Sequence, residues 1–454
     1  MSRKAKESDS FMDAVMNGFK AAGIKTASEP GTIVGYYDKT TYIDAYDPLT
    51  GRPALAMEWM IGSRGFPTGK ITQLRGSFSS AKSSFLYWVY ACAMRGSTKE
   101  DRKAWVMHIE TEGAPNPPEY VARFGVDPKL FAYVSENSLD GLFRRICAFD
   151  MLLHGGSGGT VNQETGRVVK SEFTKENALD PDLKKPSIIG VDSLSNVSSD
   201  SGQDFVDINK SERPGGDSKD VRRYMRAKEQ EFDEHKLTLF MTTHETTEIK
   251  TGGGGYGGPA ATARNQSALG MALTLAIGMG KNYDWKGGKD GKEVFGSWQF
   301  LKTFKNKLAP RNRQIKLYRK DLGGFDMAET DLQFYLDPKA SNCKENPFLP
   351  GGFLCPEGAK HGITKVRGGY SAPLVSDNTF KTAAEFVSEL YSDAERLRKI
   401  RECLRIRGYG FDFETKYLPD EFDDKSEDNG LTPADIAEDV QDAPIDAGDD
   451  DGAD

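Results

Sequence analysis

ITQLRGSFSSAKSSFLYWVYACAM, Ile71 to Met94, changes character twice. Ile71 to Leu74 reads as a short apolar strand, and Ser83 to Met94 as a helix. Between them lies GSFSSAKSS, Gly76 to Ser84, which fits G-x-x-x-x-G-K-[ST] except that Ala81 stands where the second Gly belongs. A turn of this kind wraps successive backbone N–H groups around a phosphate at the positive end of a helix. Lys82 would place its ammonium on the β- and γ-phosphates, and the Ser83 hydroxyl would ligand Mg²⁺. Gly76, Ser77, Phe78, Ser79, Ser80, Ala81, Lys82, Ser83 and Ser84 are therefore expected to bind ATP. A Ser-rich helix start that merely contains a lysine is the plain alternative.

Outward from this turn, strands and helices alternate. Trp105 to Ile109, Ser187 to Val191, Leu237 to Thr242 and Leu269 to Gly278 read as buried strands. Pro118 to Phe124, Ser138 to Phe149 and Ser218 to His235 read as helices, and Thr382 to Arg405 as one further helix. The alternation predicts an α/β fold with a mostly parallel, twisted sheet and helices on both faces. Asp192 ends one strand, where a phosphate-loop ATPase keeps the carboxylate that holds magnesium through water. Glu110 and Glu112 end another, and a carboxylate beside a γ-phosphate can position and deprotonate the attacking water. Each has an ordinary counterpart in a solvated strand end.

The chain has 454 residues and a formal charge of -8, unevenly spread. Asp420 to Asp454 holds 15 acidic residues and one basic residue, so the preceding 419 residues carry a net +6. A mildly basic body with an acidic, weakly hydrophobic and disordered tail is expected. No run approaches the ~18 apolar residues of a membrane span, which predicts no membrane partner. Cys92, Cys147, Cys343, Cys355 and Cys403 are odd in number and scattered, which argues for a reducing, cytoplasmic setting rather than a disulfide framework. Cys343, Cys355 and His361 lack a C-x-x-C pair and make a poor zinc pattern. Phe11, Val15, Met16 and Phe19 give residues 11–22 helical spacing.

Four segments in order resemble the RecA family of homologous-recombination ATPases, and more closely its phage UvsX-like branch. They are IGSRGFPTGKITQLRG (Ile61 to Gly76), EYVARFGVDP (Glu119 to Pro128), IIGVDSLSN (Ile188 to Asn196) and FKNKLAP (Phe304 to Pro310). The resemblance runs from about Met57 to Leu317 and implies a RecA-like core. It implies Glu112, rather than Glu110, as the carboxylate that activates water, and Tyr120 stacked on adenine. It implies His244 as the residue that senses the γ-phosphate, and Lys305 and Lys307 as cations reaching the neighbouring subunit's ATP. Residues 1–56 would hold the self-association helix and a linker, 57–335 the core, 336–411 a small C-terminal region and 412–454 the tail.

Two long polar interruptions, near 198–219 and 245–267, fall where this family has its DNA loops. In and after the first, Lys219, Arg222, Arg223 and Arg226 could neutralise phosphates. In the second, Lys250, Tyr256, Gly257, Gly258 and Arg264 would supply charge, stacking and close backbone approach. The resulting expectation is a DNA-dependent ATPase that uses ATP and Mg²⁺, forms a head-to-tail filament with itself on single-stranded DNA, pairs it with double-stranded DNA, and exchanges strands. Single-strand-binding and mediator proteins would be further partners. A helicase-like ring motor on the same fold, and a non-catalytic single-strand-binding mediator, are the alternatives.

Overall fold

The computed structural model describes residues 41–406, apart from 96–103, 114–115, 156–159, 162–167, 170–174, 176–177, 181–185, 198–215, 248–260, 264–271, 288–291, 322 and 338. The expected N-terminal helix, the acidic tail and most of both polar interruptions lie outside the described residues.

Before the central sheet come β1 (Tyr42–Asp44), α1 (Leu55–Ile61) and β2 (Gly65–Pro67), with β1 and β2 paired antiparallel. Runs of β-branched and aliphatic residues then build the sheet: β3 (Ile71–Gly76), β4 (Trp105–Glu110), β5 (Phe131–Ser135), β8 (Ser187–Asp192), β9 (Leu237–Thr247) and β11 (Leu273–Met279). β6 (Thr160–Val161) and β7 (Val168–Val169) form a separate hairpin, and β10 (Ala261–Ala263) pairs antiparallel with β9. The central order is β11-β3-β9-β8-β4-β5, and all five contacts are parallel. Every residue of β3, β8 and β11 is buried, as expected of parallel strands covered on both faces.

The fold is therefore α/β, with a large, mostly parallel sheet between helices. On one face lies α2 (Lys82–Arg95), whose core from Phe85 to Met94 is buried all round. On the other lie α4 (Leu139–His154) and α5 (Gly216–His235), joined by a flat stack of Phe143 on Tyr224, with centroids 3.8 Å apart. The short α3 (Pro118–Ala122) follows β4, and a 3₁₀ turn, Pro128–Leu130, leads into β5.

An antiparallel wing extends the sheet beyond β11. It comprises β12 (Tyr283–Gly287), β13 (Glu293–Asn306) and β14 (Gln314–Lys320), and the sequence reading had recognised only the lysine-bearing end of β13. Then come α6 (Met327–Leu336), a three-stranded sheet of β15 (Thr364–Val366), β16 (Gly369–Ala372) and β17 (Ser376–Phe380), and the helices α7 (Ala383–Ser392) and α8 (Ala394–Cys403). The single helix expected over Thr382 to Arg405 is thus two. Asp393 is extended, and its carboxylate accepts a hydrogen bond from the Arg396 N–H, so it starts a second helix instead of continuing the first. Similarly, β9 runs on to Thr247 where an interruption was expected from Glu245, because Thr246 and Thr247 are β-branched and, with Glu245, pair with β10.

One hydrophobic cluster runs from Ile43 to Ile406 and joins the C-terminal helices to α1 and α2. Its hinge point is polar. α1 has no local side-chain cap, and the buried Asp331 of α6 caps it, accepting from Leu55 N–H at 3.1 Å and Ala56 N–H at 2.8 Å. Glu58 of α1 and Arg401 of α8, both buried, form a two-pronged ion pair at 2.8 and 3.0 Å. Among the described residues, no helix is long and apolar enough to cross a membrane.

Candidate nucleotide site

The carboxyl ends of β3, β4, β8 and β9 meet at one rim of the sheet, and the candidate residues gather there. β3 ends at Gly76, and α2 begins at Lys82. Gly76 is required by close approach: a Cβ there would lie 2.6 Å from both the Met279 carbonyl oxygen and Ser80 Oγ. In the turn, Ser79 has φ 60° and Ala81 φ 57°. Ala81 therefore stands in the left-handed conformation that favours the missing glycine. Among the described residues, no acceptor is present for the backbone N–H groups of Ser77 to Ala81. Such an arc of open amides at a helix start suits an anion.

Lys82 is 5% exposed. Its ammonium donates to the carbonyls of Ser77 at 2.8 Å and Gly76 at 3.3 Å, and to His244 Nδ1 at 3.3 Å. Burial lowers its pKa, and the charges of Asp192, Glu112 and Glu245 oppose that shift. Since Nδ1 of His244 accepts from an ammonium, the ring proton is assigned to Nε2, which donates to Glu112 Oε1 at 2.6 Å. Lys82, His244 and Glu112 thus form one hydrogen-bonded chain across three strand ends. β3 and β9 set its register, with Gly76 opposite His244. Phe78, largely exposed, stacks on the His244 ring at 4.1 Å.

The two candidate carboxylates of β4 part company. Glu110 is buried and accepts the backbone N–H of Glu112 at 2.7 Å, so it orients the turn. The Glu112 side chain is one-third exposed and reaches the rim. Burial pushes its pKa up, but the hydrogen bond from His244 and the charge of Lys82 outweigh it and hold the carboxyl below its ordinary value. Asp192 is buried at the end of β8, and its Oδ1 accepts the Thr242 hydroxyl at 2.5 Å. Ser83 is half-buried on the first turn of α2, and the Ser84 hydroxyl lies 2.6 Å from the Tyr120 hydroxyl. That bond holds Tyr120 beside α2.

Lys305 and Lys307 are not part of this cluster. Lys305 lies opposite Ala276 on β11, and the Lys307 N–H bonds to the Thr274 carbonyl, whereas Met279 is the residue level with Gly76. At about 3.3 Å per residue this sets Lys305 about 10 Å behind the rim. Lys305 is half-buried and Lys307 exposed; burial and the repulsion of Lys307 lower the Lys305 pKa. Lys219, Arg222, Arg223 and Arg226 are all exposed on the first half of α5, while Val221 and Met225 on the same helix are buried. Lys250, Tyr256, Gly257, Gly258 and Arg264 lie outside the described residues.

Sequence reading missed several groups that brace the turn. Asn282 donates to the Ser79 carbonyl at 2.6 Å, and the Gln299 amide, oriented to satisfy its neighbours, donates to the Ser80 carbonyl at 3.0 Å. Thr111 and Ser193 exchange two hydrogen bonds of 2.7 and 2.8 Å, which tie the end of β4 to that of β8. Asn282, Gln299 and Thr111 are far from the loop in sequence and belong to no motif, and Ser193 lies within the Ile188 to Asn196 segment without a role read for it. In the weak zinc pattern, His361 is engaged by the Tyr335 carbonyl and by Ile363, and no metal-like grouping with Cys343 or Cys355 is present among the described residues. No family model matches this chain, and no curated protein matches it either.

Proposed function

We propose that the chain is a DNA-dependent ATPase of the RecA-like recombinase type. The observation that carries this reading is the Lys82–His244–Glu112 chain at the mouth of an open amide arc, on the carboxyl rim of a parallel sheet. Ligands of open α/β sheets settle beyond the carboxyl ends of the strands. Lys82 and the Ser77 to Ala81 amides suit the β- and γ-phosphates of ATP. Ser83 and Asp192 would hold Mg²⁺, Asp192 through water, and both are oxygen donors on the correct side of the turn. Magnesium would screen the phosphate charge there.

The chemistry asked of the protein is positioning and proton control. Glu112, ionised and held by His244, is placed to orient a water and take its proton. Lys82 would leave its loop carbonyls for a phosphate, and this would break its bond to His244. His244 sits on β9, and β9 leads directly into residues 248–260, so a change at His244 is passed along one strand toward the glycine-rich segment. Tyr120, fixed by Ser84, offers a ring for the base. The exposed cations of α5 suit a phosphate backbone. Lys305 and Lys307 lie away from the site of their own chain, which suits a role at the ATP of a neighbouring copy in a head-to-tail filament.

The test is ATP hydrolysis with and without single-stranded DNA, with electron microscopy of the same mixtures. DNA-stimulated turnover, helical filaments, and loss of both stimulation and filaments in Lys305→Ala/Lys307→Ala support the proposal. Closed rings or DNA-independent turnover would move the assignment to a motor ATPase.

A further inference from the structure

On the opposite rim from Lys82, where α4 and α5 end before β9 begins, three Lewis bases converge. Asp150 and His154 lie one turn apart on α4, and His235 is the last residue of α5. His154 Nδ1 is 2.8 Å from Asp150 Oδ1, and His235 Nδ1 is 2.9 Å from each Asp150 oxygen. One donor atom from each residue lies within 4.8 Å of the others. We propose that Asp150, His154 and His235 bind one divalent transition-metal ion of the zinc class, which staples the end of α4 to the end of α5.

Two imidazole nitrogens and one carboxylate oxygen form a donor set suited to zinc rather than to magnesium or calcium. A tetrahedral ion with bonds of about 2.0–2.1 Å sets its ligands about 3.3 Å apart. The nitrogen-to-oxygen spacings would therefore open by roughly half an ångström. Ligation at Nδ1 would replace the two hydrogen bonds to Asp150 and move each ring proton to Nε2; that of His154 is buried with no partner among the described residues. Asp150 and His154 are each 3% exposed, while the His235 side chain is 28% exposed and leaves an entry path. Glu231 and Glu234 add negative potential at His235, and Lys228, the nearby cation, is held by Glu231 at 2.6 Å.

Full-length protein stripped with a chelator is titrated with Co²⁺ and followed by its visible d–d bands, then with Zn²⁺ as competitor. One Co²⁺ per chain is expected, with tetrahedral bands, no thiolate charge-transfer band, and displacement by Zn²⁺ but not by Mg²⁺. Zn²⁺ at about 100 times its Kd should raise the melting temperature by about 3–4 °C. His235→Ala, at the exposed position, should keep its circular dichroism. It should also lose Co²⁺ affinity by more than the roughly 10–100-fold that a lost supporting hydrogen bond costs. Asp192→Asn, at the other rim, should leave Co²⁺ binding unchanged. Absence of bands at equimolar Co²⁺, undiminished binding by His235→Ala, or a thiolate band would overturn the assignment.

Discussion

Breaking the Glu58–Arg401 pair separates a docked C-terminal region from a loosely attached one. Glu58 is 0% and Arg401 3% exposed, and two bonds of 2.8 and 3.0 Å join helices 343 residues apart in sequence. Arg401→Met strands a carboxylate in the core. The desolvation that the pair offset is then uncompensated, at a cost of about 3–5 kcal/mol. In a chain of this size each kcal/mol moves the melting temperature by about 1–2 °C, so a fall of about 3–10 °C is expected. Glu58→Leu should cost a similar amount, because it leaves a buried guanidinium. The double variant Glu58→Leu/Arg401→Met should recover to within about 1 kcal/mol of the parent, since an apolar pair of similar volume replaces the ions. Thermal melts of the four proteins at one scan rate measure the coupling. If either single variant melts within 1 °C of the parent, or the double variant loses the sum of the two, α8 is not packed on α1 as described.

Asp331 supplies a pH signature. Burial raises its pKa to about 7, against opposing hydrogen bonds from Ala56, Tyr391 and Leu55. A folded pKa above the unfolded value means that the stabilisation is full below about pH 4 and is lost as pH rises through about 7. The melting temperature of the parent relative to Asp331→Asn should therefore fall between pH 4 and pH 8, by the equivalent of up to about 4 kcal/mol; a flat difference would refute the assignment. Ala81→Gly relieves a left-handed alanine but adds unfolded-state entropy, so a net gain of about 0.5–1 kcal/mol is expected from denaturant midpoints. A loss of stability would show that the turn does not hold φ near 57°.

The parallel strands and the turn between Gly76 and Lys82 were legible because the signals are local: buried runs, strand-end carboxylates, and a small-residue turn before a helix. Distance hid the rest. The Asp331 cap on α1 spans 276 residues, and the Lys82–His244 contact 162. That Glu110 is buried while Glu112 reaches the rim depends on how the end of β4 packs, which the run of residues does not show. The antiparallel wing escaped notice because its strands are half-exposed and charged, so they lack the apolar run that marked the core strands. Asp150, His154 and His235 carried only an i,i+4 spacing and a helix-terminal histidine, and the fold brings them together.

The most direct measurement is nucleotide binding and steady-state ATP hydrolysis, on single-stranded DNA, by the parent, Glu112→Gln and Lys82→Ala. The account predicts that Glu112→Gln binds ATP as tightly as the parent and loses turnover by about 100-fold or more, whereas Lys82→Ala loses binding as well. Parent-like turnover by Glu112→Gln, or parent-like binding by Lys82→Ala, would contradict it.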